Sequence, residues 1–67
     1  MTTRKSFIMR LKQLRADRGI TQEALAKKAR LSRVYIARLE LGQQDPTLGT
    51  LTKLAKALKV KVGRLVG

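Results

Sequence analysis

The sequence has no cysteine and no histidine, and it has one proline, one phenylalanine and one tyrosine in 67 residues. Without cysteine no disulfide framework exists, and without cysteine or histidine the usual zinc-ligand sets are missing. A chain of this length forms one domain, and it is among the smallest that fold without disulfides or bound metals. We therefore expect an economical core, possible help from dimerisation, and neither a metal nor a cofactor.

Acidic residues are also scarce: four Asp and Glu stand against 16 Lys and Arg, a formal net charge of +12. The four are Asp17, Glu23, Glu40 and Asp45. With so few candidate acids or bases and too small a core for a useful pocket, we expect no enzymatic activity. Such an excess of positive charge favours a polyanionic partner, with nucleic acid first and an anionic membrane surface second.

Long hydrophobic runs are missing as well. Near the N-terminus the apolar run Phe7-Ile8-Met9 ends at Arg10, which does not resemble a signal peptide. No stretch approaches the length of a transmembrane helix. We expect a cytoplasmic protein with no membrane partner, and the lack of cysteine suits a reducing compartment.

Apolar residues at helical spacing, interrupted by capping residues, predict an all-helical chain. The expected helices cover about residues 7–18, 22–28, 33–41, 48–58 and 62–66. Their expected N-caps are Ser6, Thr21, Ser32 and Thr47, and Gly19 and Gly42 follow the first and third helices. The last segment is ambiguous, since Val60-Lys61-Val62 alternates as a strand would, but we favour a helix.

Residues 20–41 form the candidate functional segment. Two short helices with so brief a connection must cross steeply, and Ala26 and Ala29 supply the small residues that a close crossing needs. The residues expected to point inward are Ile20, Leu25, Leu31, Ile36 and Leu39. Those left outward on the third helix are Arg33, Val34, Ala37 and Arg38. This outward face is short, basic and free of acids, as suits a helix that enters a DNA groove.

Three stretches carry a family resemblance: LKQLRADRGITQEALAKKA, LSRVYIARLELGQQDPTL and LTKLAKALKV. They resemble the lambda-repressor/Cro-like (xenobiotic-response-element) helix-turn-helix family from about Ile8 to Leu65. The resemblance implies a compact five-helix bundle that binds palindromic operators in double-stranded DNA as a homodimer. We expect the dimer surface to combine the loop after the third helix with the apolar segment Val60–Val66.

The resemblance also implies roles for individual residues. Gln22, at the start of the second helix, matches a position that holds a phosphate, and Gln43 and Gln44 match a loop that touches the DNA backbone. The positions that match contacts to base edges or adjoining phosphates are Ser32, Arg33, Val34 and Arg38.

Two further residues follow from the same resemblance. Arg15 and Glu40 match a salt bridge between the first and third helices. Arg30 departs from the pattern, because it stands where the family has glycine in the turn after the second helix. We expect Arg30 to adopt positive φ at a cost of about 1 kcal/mol, with a phosphate contact as its possible gain.

Alternatives remain for several side chains. Contact with bases is one interpretation of Arg33, Arg38 and Val34. The alternative is that the two arginines lie on a simple solvated face and that Val34 is an ordinary exposed apolar residue. Tyr35 either packs its ring against the bundle or donates a hydrogen bond from its hydroxyl to a phosphate. We expect the lysines of the fourth helix to be solubilising charge; they are Lys53, Lys56 and Lys59.

Three functions compete. The first is a sequence-specific DNA-binding transcriptional regulator, most simply a repressor. The second is an antitoxin that binds a toxin protein and represses its own operon, with an apolar docking patch at Leu41, Val60, Val62 and Val66. The third is a membrane-active or RNA-binding peptide, which the ordered turns and the scarcity of stacking aromatics disfavour.

Overall fold

The structure is a computed structural model that describes the backbone of residues 3–66 and side chains from Lys5 to Val66. Within that part of the chain it contains five helices and no strand. They are α1 (Thr3–Asp17), α2 (Gln22–Ala29), α3 (Arg33–Glu40), α4 (Leu48–Leu58) and α5 (Gly63–Val66). The alternating segment at Val60 therefore leads into a short helix rather than a strand.

The start of α1 differs from the prediction. The helix begins at Thr3 rather than Phe7, so Ser6 lies inside it and is not its N-cap. The preceding Arg4 and Lys5 are good helix formers and no breaker separates them from the apolar stripe, so nothing stops the helix from extending backward. The longer α1 contacts both α3 and α5.

The other three predicted N-caps are confirmed. Thr21, Ser32 and Thr47 each accept a hydrogen bond on the side-chain oxygen from the backbone N–H three residues later, at 3.0 Å. All three have extended backbone angles, as a capping residue requires. These caps place the first residues of α2, α3 and α4 where the sequence predicted them.

The helix ends use left-handed residues. Gly19 and Gly42 have φ of +62° and +76°, and Arg30 has the predicted positive φ, at +59°. Lys59 after α4 has the same conformation at +58°, which the sequence did not indicate. At Arg30 the turn is closed by a 2.9 Å hydrogen bond from the Leu31 N–H to the Ala26 carbonyl.

One continuous core joins all five helices. Ala26 and Ala29 are both buried, as expected of the small residues where α2 crosses its neighbours α3 and α4. The fully buried large side chains are Phe7, Leu11, Leu25, Ile36, Leu39, Leu54, Leu58 and Leu65.

The apolar C-terminal segment is used by this core. Leu65 is fully buried, and Val60, Val62 and Val66 are half-buried against the core cluster. The docking patch expected at these valines is therefore mostly occupied by the fold itself. Leu41, the remaining member of that patch, is 69% exposed.

Leu48 also departs from the prediction. Its spacing from Leu51, Ala55 and Leu58 predicts a place in the apolar stripe of α4, but its side chain is 74% exposed. At 100° per residue it lies about 85° away from the centre of the stripe that Leu51, Leu54 and Leu58 share. Leu48 is also the first residue of α4, so no earlier turn of that helix covers it.

The conformation of Arg30 generates a stability prediction. Arg30→Gly relieves the cost of a side chain at positive φ, and we expect it to raise the free energy of unfolding by about 1 kcal/mol. The matched control is Lys28→Gly, two residues earlier within α2, which we expect to lower it by about 1 kcal/mol. Denaturant unfolding of both variants measures this, and equal destabilisation by the two would contradict it.

Candidate nucleic-acid interface

The solvent face of α3 is basic. Arg33 and Arg38 are exposed, and Val34 between them is 52% exposed. Ala37, expected on the same face, is half-buried. The opposite side of the helix is fixed in the core by Ile36, so this face is presented on a rigid element.

Ser32, at the start of α3, is exposed and has one bond already made. Its hydroxyl oxygen accepts the Tyr35 N–H as the helix cap. The hydroxyl hydrogen is a separate donor, so capping leaves Ser32 able to donate to a phosphate or a base edge.

Tyr35 packs its ring against the core, in line with the first of the two alternatives. Its hydroxyl lies 2.8 Å from the Thr50 hydroxyl oxygen, and Thr50 is buried. Thr50 also accepts a 3.0 Å hydrogen bond from the Thr47 hydroxyl. These hydrogen bonds join α3 to α4. Thr50 was not predicted from the sequence, because its partners lie 15 and three residues away and no local pattern marks them.

A polar network joins α1, α2 and α3 at Glu40. Arg15 approaches the carboxylate with two nitrogens, Nε to Oε2 at 2.8 Å and Nη2 to Oε1 at 3.0 Å. Its third nitrogen donates to the Ile20 carbonyl at 3.0 Å. The salt bridge that the sequence predicted is thus formed in bidentate geometry, and it also fixes the turn before α2.

Gln22 is part of this network. Its Nε2 donates to Glu40 Oε1 at 3.0 Å, a bond that the sequence did not indicate. An amide nitrogen carries two hydrogens, so the bond orients Gln22 while one N–H stays available to an external acceptor. Gln22 lies at the first position of α2, where the backbone N–H groups lack partners within the helix.

The network lowers the pKa of Glu40. Burial raises that pKa, but hydrogen bonds from Arg15 and Gln22 and the positive charges of Arg15 and Lys12 together outweigh burial. The hydrogen bond to Glu40 in turn raises the pKa of Arg15, against a smaller opposing effect of desolvation. Glu40 is therefore a carboxylate at neutral pH, and it neutralises an arginine inside the bundle.

The remaining predicted site residues lie at two connections. Gln43 and Gln44 are exposed after α3, and the Gln43 N–H donates to the Arg38 carbonyl at 2.9 Å. Gly42 before them allows a close approach, since a Cβ there would lie 3.3 Å from the Ile8 Cδ1 atom. Arg30 is exposed in the turn between α2 and α3.

Other kinds of site find no support in the part of the chain that is described. Residues 3–66 contain no helix that is long and apolar enough to cross a membrane. Among the same residues, no group of carboxylates that could hold a metal ion is present.

Comparison with known sequences gives a family. The helix-turn-helix family profile matches residues 11–65. The immunity repressor protein of Bacillus phage phi105 is 45% identical over 58 residues, which are 87% of this chain and 40% of that protein. An uncharacterized HTH-type transcriptional regulator of Sinorhizobium fredii, y4dJ, is 38% identical over 66 residues, 98% of this chain and 86% of that protein. The chain thus spans less than half of the phage repressor.

Solved structures agree with these relatives. The restriction-modification controller protein C.AhdI from Aeromonas hydrophila superposes with a TM-score of 0.86 at 38% identity, over 90% of this chain and 91% of that one. The clp gene regulator ClgR from C. glutamicum superposes with a TM-score of 0.86 at 29% identity, over 97% of this chain and 84% of that one. The chain belongs to the helix-turn-helix family of DNA-binding transcription regulators, with the lambda-repressor-like fold, and this is not a family of enzymes.

The Glu40 network generates a prediction about pH. The pKa of Glu40 is lowered in the folded state. Its contribution to the free energy of unfolding is therefore complete above the ordinary glutamate pKa of about 4.3, and it is lost as the pH falls below that value. We expect Glu40→Gln to lower the melting temperature at neutral pH and to flatten the loss of stability between about pH 5 and pH 3.

Thermal unfolding across this range measures the effect. Glu23→Gln is the matched control, because it also removes one carboxylate but from an exposed site. The control should retain the acid-side slope of the unchanged protein. A Glu40→Gln variant that loses stability on acidification as steeply as the control would contradict the role given to Glu40.

Proposed function

We propose that this protein is a sequence-specific repressor that binds a palindromic operator as a homodimer, with α3 in the major groove. The observation that carries the proposal is the exposed basic face of α3, fixed from behind by the core and by the Arg15–Glu40–Gln22 network. A rigid helix with basic and small apolar side chains outward fits the donor, acceptor and methyl pattern of that groove.

The residues divide into two roles. Arg33 and Arg38 contact base edges, where an arginine can pair bidentately with guanine, and Val34 contacts a thymine methyl group. Ser32, at the start of α3, contacts a base edge or an adjoining phosphate beside them. Four residues contact phosphates and set the register of the protein on the duplex: Gln22, Arg30, Gln43 and Gln44.

Repression is supported by the similarity to the phage immunity repressor, a protein named for that role. A domain about the width of a duplex, bound across a promoter, would block polymerase by occupancy alone. This mechanism needs no further chemistry from the chain, and we place its action in the cytoplasm.

The dimer contact is best assigned to the ends of the connection between α3 and α4. Leu41 and Leu48 lie at those ends and are 69% and 74% exposed, whereas the C-terminal valines pack against the core. Burial of two leucines by a second copy stabilises a dimer by roughly 25 cal/mol per Å² of apolar surface removed from water. The same leucines are the surface that a toxin partner, the alternative role, would use.

The division of roles predicts how three variants bind DNA. We expect Arg38→Ala to weaken operator binding by about 1–3 kcal/mol and to remove the preference at one base position. Gln22→Ala should weaken binding to operator and to scrambled DNA by similar factors, because a phosphate contact carries no sequence information. Each is titrated against both duplexes at two salt concentrations.

Lys56→Ala is the control for these titrations, since Lys56 is exposed on α4 rather than on α3. This substitution should leave the affinity for the operator nearly unchanged. Equal losses on both duplexes for Arg38→Ala, together with lost discrimination for Lys56→Ala, would place the DNA-reading face on α4 instead.

The dimer contact gives a separate prediction. Leu48→Ser should abolish cooperative occupation of two half-sites spaced about 34 Å apart, while binding to an isolated half-site persists. Met9→Ser, which removes a similarly exposed apolar side chain from α1, should leave cooperativity intact. Footprinting and sedimentation measure the two quantities. Unchanged cooperativity in the Leu48 variant would refute this contact, and a single asymmetric half-site bound one-to-one would refute the dimer.

A further inference from the structure

Two depressions lie side by side between α2 and α4. The larger, of about 510 Å³, is lined by Lys28, Ala29, Arg30, Lys53, Lys56 and Ala57. The smaller, of about 230 Å³, is lined by Arg18, Ile20, Lys28, Ala57, Leu58 and Lys59. Because Lys28 and Ala57 belong to both, the two form one continuous depression, which we call the α2–α4 groove.

The α2–α4 groove is strongly positive. Each of its six basic residues is exposed, and its described lining includes no aspartate or glutamate. Arg18 is held in place by a 2.7 Å hydrogen bond from its Nε to the Leu58 carbonyl. Four lysines and two arginines on one open surface repel one another, a cost that a bound polyanion removes.

The groove is built from elements other than the face of α3. None of its lining residues lies on α3 or in the connection over residues 41–47, and Arg30 alone belongs also to the candidate operator interface. Five of the six basic residues of the groove therefore have no role in the proposed operator interface.

The lining indicates the class of ligand. It consists of basic and aliphatic residues, without an aromatic ring for stacking a base and without a hydroxyl or amide side chain. A selective small-molecule site uses a few fixed polar groups within an apolar enclosure, which this open groove does not provide. Lysines act as flexible point charges, and α4 rises about 7.5 Å from Lys53 to its last residue, Leu58. This suits a row of phosphates bound without regard to sequence.

We propose that the α2–α4 groove binds the phosphate backbone of a second DNA duplex while α3 holds the operator. One protein then joins two DNA segments, one recognised by sequence and the other by charge alone. The inference rests on the proposed function, which supplies the first duplex. Two separate binding steps in one assay distinguish failure of the inference from failure of the proposed function.

The experiment is a two-duplex capture assay. A short duplex recovered as the bound sequence from a random DNA pool is immobilised and saturated with protein, and a labelled duplex of scrambled sequence is then added. The test variant is Lys53→Gln/Lys56→Gln. The matched control is Lys5→Gln/Lys61→Gln, which removes the same charge from exposed lysines outside the groove.

We expect both double variants to bind the immobilised duplex within about twofold of the unchanged protein. The groove variant should then capture about tenfold less of the second duplex, with a salt dependence that is shallower by about 1.8, as expected for two lost phosphate contacts. The control should capture it nearly as well as the unchanged protein.

Several results would overturn the inference. No binding to the first duplex would defeat the proposed function itself, whereas binding without capture would defeat bridging alone. Equal losses in both double variants would indicate net charge rather than the groove, and full capture by the groove variant would indicate a second copy of α3. A loss of one-to-one affinity for the first duplex would make the groove part of the operator interface. Release of the second duplex by micromolar inorganic triphosphate would make it a small-anion site.

Discussion

The carboxylate of Glu40 is the point on which the arrangement of the first three helices depends. It lies nearly inaccessible to solvent on α3, accepts two hydrogen bonds from Arg15 on α1 and accepts one from Gln22 on α2. Desolvating such a pair cancels much of its attraction, so its net contribution to stability is modest. Its geometric effect is larger, because a bidentate contact permits one relative position of α1 and α3, and hence one direction for the face of α3.

The same network links stability to the contact with DNA. Gln22 uses one amide hydrogen to bind Glu40 and leaves the other available to an external acceptor, so its side chain is ordered by the fold itself. On the far side of α3, the bond between the Tyr35 and Thr50 hydroxyls fixes the helix against α4. The side chains proposed to contact DNA therefore project from helices whose positions are already fixed, which lowers the entropic cost of binding.

The sequence predicted those features that local chemistry decides. Thr21, Ser32 and Thr47 are capping residues by composition and position, whereas the positive φ of Arg30 was implied by the family resemblance. Two features were predicted wrongly: Ser6 lies within α1 because Arg4 and Lys5 continue the helix before it, and Leu48 is exposed because it lies at the edge of its stripe. The α2–α4 groove joins residues as distant as Arg18 and Lys59, which no local pattern connects.

The proposed role of α3 is to read a symmetric DNA sequence, and selection of bound duplexes from a random pool measures this role. The unchanged protein should enrich a palindrome with half-sites about one helical turn apart, and Arg38→Ala should enrich one that has lost its preference at one position in each half-site. Enrichment of no common sequence, or of a motif that Arg38→Ala leaves unchanged, would contradict it.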